Sequence, residues 1–228
     1  MIIDHEHIYY RRRWGLAGTA RYNGAYYYSK EIVENIIPEI KTDRNWVTIN
    51  VPGACIDHSI VFIHNNVDPT LYDWLAEFKD LVLVCGIPET CEKVGHLGTP
   101  VYLPLSVDVD YVKSFKGKKT KEVAFAGRPD KKTEDLPAGV DCIEGLDRDS
   151  FLREMSKYKK IYGVGRVALE AKVLGAEVLP YDPRFPDPEI WTVYDNKDVI
   201  KMLQKALDDI DKPKKKKAKA EEVEDGQL

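Results

Sequence analysis

Gly163 and Gly165, followed at once by Arg166-Val-Ala-Leu-Glu170, are the residues whose types and spacing most plainly suggest chemistry. They sit in Lys160–Asp182, KIYGVGRVALEAKVLGAEVLPYD, which reads as a strand, a glycine turn, a short helix, a stop at Gly175 and a second strand. The first amides of such a helix lack intrahelical acceptors, and its dipole is positive there. That combination suits an anion, typically a nucleotide phosphate. Glu170 lies amid apolar helix residues, so its carboxylate needs partners. Ligand hydroxyls would serve, and so would an intrachain salt bridge to Arg166 at i−4. Other candidates are His64 after the apolar run Ser59–Ile63, Arg128 after Gly127, Lys131 or Lys132 just beyond, and Gly18 and Arg21 in a glycine-containing loop. Asp4-His5-Glu6-His7 puts two histidines on one face of a strand, but a third ligand is not evident, so no metal is expected.

These residues need a scaffold, and the hydrophobic pattern supplies one. Strands are expected at Ile2–Tyr10, Asp43–Val51, Ser59–Ile63, Leu81–Cys85, Val101–Leu103, Val123–Ala126 and Val140–Cys142. Helices are expected at Ala25–Ile37, ended by Pro38, and at Pro69–Phe78, Thr90–Leu97 and Asp108–Phe115. A further one runs from a cap at Asp149 or Ser150 to about Tyr158. The last is Asp198–Ile210, with Val199, Met202, Leu203, Ala206, Leu207 and Ile210 on one face. Strands alternating with helices imply an α/β fold with parallel, helix-covered sheets. Ligands of such sheets bind beyond the carboxyl ends of the strands, where His64, Arg128 and Gly163 fall.

The run Gly165–Gly175, with its Glu170-Ala171 pair, resembles the donor-site helix of GT-B glycosyltransferases of the retaining, family 4 kind. Three other segments match in order: Val61–Asn66 with His64, Val84–Asp108 with its Pro104-Leu-Ser-Val-Asp108 link, and Glu122–Pro129 with Gly127-Arg128. The resemblance implies two small Rossmann-like halves, residues 1–110 on the acceptor side and 111–211 binding the nucleotide-sugar. It also implies that Arg128 and Lys132 grip the diphosphate and that Glu170 holds the ribose. Gly18 and Arg21 would face the donor with Gly163, Gly165 and Arg166, and His64 would face the cleft. The expected reaction moves a hexose from a donor such as a UDP- or GDP-hexose to an acceptor hydroxyl of unknown identity, with neither cofactor nor metal. Tyr162 stands where the family carries the first Glu of its E-x7-E pattern. That departure motivates a second reading, a nucleotide or nucleotide-sugar binder without transfer. A third follows from Gly163-x-Gly165-x-x-Ala168 with Asp182, which resembles the dinucleotide fingerprint of NAD-dependent dehydrogenases.

Composition bounds the rest. The chain has 228 residues, 43% of them hydrophobic, with a formal charge of −4. That is room for one large or two small domains and a substantial core, with no bulk basic character for nucleic acid. The tail 212–228 carries six Lys and four acids, is expected to be disordered, and is the one segment suited to nucleic-acid contact. No apolar run is long enough to span a membrane, and no secretory leader is evident. The four cysteines lack paired metal spacing and are expected as reduced thiols in a cytoplasmic protein, although Cys85 and Cys91 are near enough to approach one another. Pairing into a homodimer is one way for so short a chain to complete itself, with Trp191 and the last helix as the candidate surface.

Overall fold

A computed structural model describes residues 2–3, 24–47, 55–63, 69–127, 132, 136–180 and 187–212. Two parallel sheets organise them, as the alternation of strands and helices led us to expect. The first has five strands in sequence order: β1 (Ile2–Ile3), β2 (Asn45–Val47), β3 (Ser59–Ile63), β4 (Val82–Cys85) and β5 (Thr99–Tyr102). Every residue of β3 and β4 is buried, because this sheet is covered on both faces. Trp46, Ile60, Phe62 and Val84 pack on one face, and Val47, Val61, Ile63 and Leu83 on the other.

Helix α1 (Gly24–Glu31) runs into a π-turn, Ile32–Ile36, and a 3-10 turn, Ile37–Glu39. Pro38 has no N–H to continue the α ladder. The N–H of Ile37 instead reaches the carbonyl of Ile32, and the widened turn lets Ile32, Ile36 and Ile37 all enter the core. The helix expected over Pro69–Phe78 is a 3-10 helix, Pro69–Glu77; it puts Tyr72 and Leu75 on the opposite face together with Val94 of α2 (Pro88–Val94).

The second sheet has the order β10-β9-β7-β8, all parallel: β7 (Lys121–Ala126), β8 (Asp141–Ile143), β9 (Tyr158–Tyr162) and β10 (Glu177–Leu179). The order therefore reverses between β7 and β9. Helix α3 (Val109–Lys113) precedes β7, α4 (Arg148–Met155) joins β8 to β9, and α5 (Arg166–Val173) joins β9 to β10. The cap of α4 is Asp147, earlier than the Asp149 or Ser150 expected; its Oδ1 accepts the Ser150 amide at 3.0 Å. The helix is correspondingly earlier, and Tyr158 opens β9.

Two features tie the sheets together. A parallel pair, β6 (Ser106–Val107) with β11 (Tyr194–Asp195), has no periodic signature in the sequence because each strand is two residues long. The last helix, α6 (Asn196–Asp211), returns to the first sheet and buries Val199, Leu203 and Leu207 against it. This corrects the expected pairing surface. Most of the apolar face of α6 is covered within the chain, only Met202 of it being exposed, and Trp191 is buried in the second core. The end of α6 is fastened by Arg44, itself 4% exposed, which donates to Asp211 at 2.6 Å and to Asp80 at 3.1 Å. His58 bridges Asp80 and Asp43 at 2.5 and 3.1 Å. Among the described residues, no helix is long and apolar enough to cross a membrane.

Leu203→Ala should cost about 2–5 kcal/mol in urea unfolding, the range for a fully buried leucine; a cost below about 1 kcal/mol would place α6 outside the first core. The His58 cluster predicts a pH profile. Hydrogen bonds donated to Asp80, then to Asp43, raise the His58 pKa above its ordinary 6.5, so its contribution is complete below that value and is lost as pH climbs through the raised one. Asp80 and Asp43 are held below 3.8, chiefly by His58, so their contribution is complete above 3.8 and is lost as pH falls through the lowered values. Stability measured against pH should lose part of its alkaline decline in His58→Gln.

Candidate functional site

The carboxyl end of β9 runs through Gly163-Val164-Gly165 into α5. Gly165 has φ +59° and ψ −130°, a conformation that an L side chain rarely adopts, and it turns the chain from strand to helix. A Cβ on Gly163 would lie 2.8 Å from Val167 Cγ1, so the strand end and the first helical turn meet only because that position is glycine. At the other end, Gly175 (φ +78°) donates to the Lys172 carbonyl and Ala176 to the Ala171 carbonyl, both at 2.9 Å, which closes the helix in a Schellman turn. Strand, turn, two-turn helix and glycine stop are thus where the sequence puts them.

Helix α5 is buried on nearly all sides: Arg166 to Ala171 are all in the interior, with Glu170 at 0% exposure. A carboxylate there requires charge and hydrogen-bond partners. Arg166 Nε donates to Glu170 Oε1 at 2.8 Å, and Arg148 Nη1 donates to the same oxygen at 3.0 Å. Each arginine also reaches Glu31 at the end of α1: Arg166 Nη2 at 2.5 Å and Arg148 Nη2 at 3.4 Å. Two guanidinium groups and two carboxylates therefore form a net-neutral, largely buried quartet between α1, α4 and α5. Asn196, the first residue of α6, donates to Glu31 Oε2 at 3.5 Å and accepts the Ser106 hydroxyl at 2.8 Å. The Arg148 guanidinium lies over the rings of Tyr27 and Tyr111, at 4.6 and 5.2 Å from their centroids. Burial, then Asp149, pushes the Tyr111 phenol up to about 12, so it remains a donor, to Asp149 at 2.6 Å.

The structure brings Gly163, Gly165, Arg166 and Glu170 together. It also gives Glu170 the intrachain partner that the i−4 spacing offered, and turns the Arg166 guanidinium towards Glu170 and Glu31. Lys132 is exposed, and its Nζ lies 3.1 Å from Cys142 Sγ of β8, which raises its pKa. Gly18, Arg21, His64, Arg128 and Lys131 lie outside the described residues, as do Asp182 and the Asp4–His7 cluster. Among the described residues, no group of three or more His, Cys, Asp or Glu could hold a metal ion. Sequence reasoning missed Glu31, Arg148 and Asn196. Glu31 is 135 residues from Arg166 and 117 from Arg148, and no local spacing announces such partners.

The fold and the site define an α/β protein with two parallel sheets and a glycine-turn helix at the point where strand order reverses. Compared with protein-family models, curated proteins and solved structures, the chain gives no match in any of the three.

Removing one member of a buried ion network leaves an uncompensated charge. Glu170→Ala should therefore cost about 3–5 kcal/mol by urea unfolding, and the Glu31→Ala, Arg166→Ala cycle should show a coupling on the order of 1–3 kcal/mol. A coupling near zero would mean that Glu31 and Arg166 do not share a buried contact.

Proposed function

We propose that this chain binds a nucleotide-sugar by its diphosphate at the carboxyl ends of β7 and β9, and that it transfers the sugar to an acceptor hydroxyl. One observation carries the reading. The strand order of the second sheet reverses between β7 and β9, and the Gly163–Gly165 turn opens α5 at that reversal. In open α/β sheets, ligands bind outside the carboxyl ends of the strands at such a reversal. The first turn of α5 supplies amides and a dipole for phosphate. Gly127 follows the last residue of the neighbouring strand β7, and Arg128 follows it in the chain. The resemblance to GT-B glycosyltransferases agrees with two parallel-sheet units in one chain. In that reaction the diphosphate leaves as an anion, so cations and amides at the leaving group lower the barrier. Arg128, Lys132 and the glycine turn are our assignment for that role. In this reading Glu170 acts from the interior: it holds Arg148 and Arg166 and so fixes the start of α5.

A second reading, binding without transfer, draws on two observations. Tyr162 replaces the family's first Glu, and the Glu170 carboxylate is taken up by two arginines. The NAD reading is weaker on topology. Among the described strands of the second sheet, only β10 follows α5, whereas a dinucleotide half needs more.

A ligand that binds only the native state raises the melting temperature. At about 100 times Kd, a UDP- or GDP-sugar and its nucleoside diphosphate should raise it by roughly 5–10 °C, with NAD inert. Release of free nucleoside diphosphate in the presence of an acceptor supports transfer, and intact recovery of the donor supports the binder. A response to NAD alone would overturn both. Gly165→Ala, strained at φ +59°, should lower the ligand-induced rise relative to the wild type.

A further inference from the structure

Lys119 carries a buried amine that the site above does not use. It lies in 114–120, the connection from α3 to β7, at the amino end of β7 and so at the end of the sheet opposite the glycine turn. The connection is held against the ends of α4 and α5. The amides of Thr120 and Lys121 donate to the Lys157 carbonyl at 2.8 and 3.0 Å. A Cβ on Gly117 would lie 3.2 Å from Ser156 Oγ, and one on Gly175 would lie 3.6 Å from Lys116 Nζ. A surface lysine ordinarily buries its stem and keeps its ammonium in water. Lys119 does the reverse at its tip. The residue is partly exposed, yet its Nζ is shut off from solvent and has no hydrogen-bond partner among the described residues.

The carboxylates at this end of the sheet are already paired. Glu154 accepts from Lys121 and Lys157 at 2.8 and 2.5 Å, Asp141 from Tyr158 at 2.9 Å, and Glu122 from Lys159 at 2.5 Å. Lys116 and Lys118, close by in the chain, are exposed cations. An ammonium buried without an acceptor is costly, and shedding the proton relieves the cost. Burial, then the charge of Lys116, accordingly holds Lys119 below the ordinary 10.5. A desolvated lysine beside another cation is one of the ways in which an amine becomes a nucleophile at neutral pH.

We propose that Lys119 is a carbamate site, whose neutral amine takes up carbon dioxide reversibly. The amine lone pair attacks the carbon and forms the N–C bond, one C=O pair moves onto oxygen, and the nitrogen releases a proton to water. One neutral amine and one carbon dioxide become one carbamate anion and one proton. Two features select this ligand. A covered amine admits a small uncharged electrophile more readily than a hydrated anion, which must first lose its water. The product also supplies a counter-charge to a loop whose exposed ammonium groups, Lys116 and Lys118, flank it in sequence.

The test equilibrates the native full-length chain with isotope-labelled bicarbonate, which supplies carbon dioxide. Carbamates are then trapped as ethyl esters with triethyloxonium, and peptides are mapped by mass. Cleavage after Phe115 and Phe125 yields residues 116–125. That peptide holds Lys119 together with the exposed Lys116, Lys118 and Lys121, so the controls are built in. We expect fragmentation to place the trapped label on Lys119 alone, and degassing before the trap to remove it. Lys119→Arg should leave the peptide unlabelled. An unlabelled wild-type peptide in a sample whose added glycinamide standard is labelled would overturn the proposal. So would label spread evenly over Lys116, Lys118, Lys119 and Lys121.

Discussion

The quartet of Glu31, Arg148, Arg166 and Glu170 is the constraint around which the molecule is arranged. Taking four charges out of water is costly, and the cost is recovered only when donors and acceptors meet with good geometry. Glu170 can therefore be wholly buried only if α4 and α5 hold their arginines on it, and those arginines are neutralised only if α1 brings Glu31 across from the other sheet. Through Asn196 and Ser106 the same network reaches the start of α6 and the β6–β11 pair. Elements from both halves are thus positioned by one set of contacts, and hydrophobic packing alone would not specify their angles so narrowly.

Around that lock, each half solves a packing problem of its own. The first sheet is apolar on both faces, so one face takes the turn after α1 together with α6, and the other takes the 3-10 helix and α2. The return of α6 is what completes the first core from the far end of the chain. In the second sheet the strand order reverses between β7 and β9, so its crossovers leave in opposite directions from that point. The glycine turn opens α5 at that reversal, and the buried quartet holds the helix behind it.

Local features of the fold were legible in the sequence. The uninterrupted apolar runs at Ser59–Ile63 and Leu81–Cys85 became the fully covered strands β3 and β4, and the Gly163–Gly175 punctuation gave the turn, length and stop of α5. Boundaries slipped where two signals competed. Asp147, not Asp149, won the cap of α4, because its carboxylate reaches both the amide and the hydroxyl of Ser150. Pro38 ended the α ladder through a π-turn rather than a clean stop. What the sequence withheld was long-range. The partnership of Glu31 with Arg148 and Arg166, the docking of α6 and the burial of Trp191 depend on which surfaces meet, and one chain read in order carries no record of that. The i−4 spacing of Arg166 and Glu170 was the single legible piece of the quartet.

Binding of a nucleotide diphosphate where strand order reverses, as proposed, can be read by amide hydrogen exchange with and without a nucleoside diphosphate. Exchange slows where amides gain a partner or local opening is suppressed. Ligand-dependent protection is expected at Gly163–Ala168 and around Gly127, with the amides of β2, β3 and β4 unchanged. Protection confined to the first sheet, or none at saturating ligand, would contradict it.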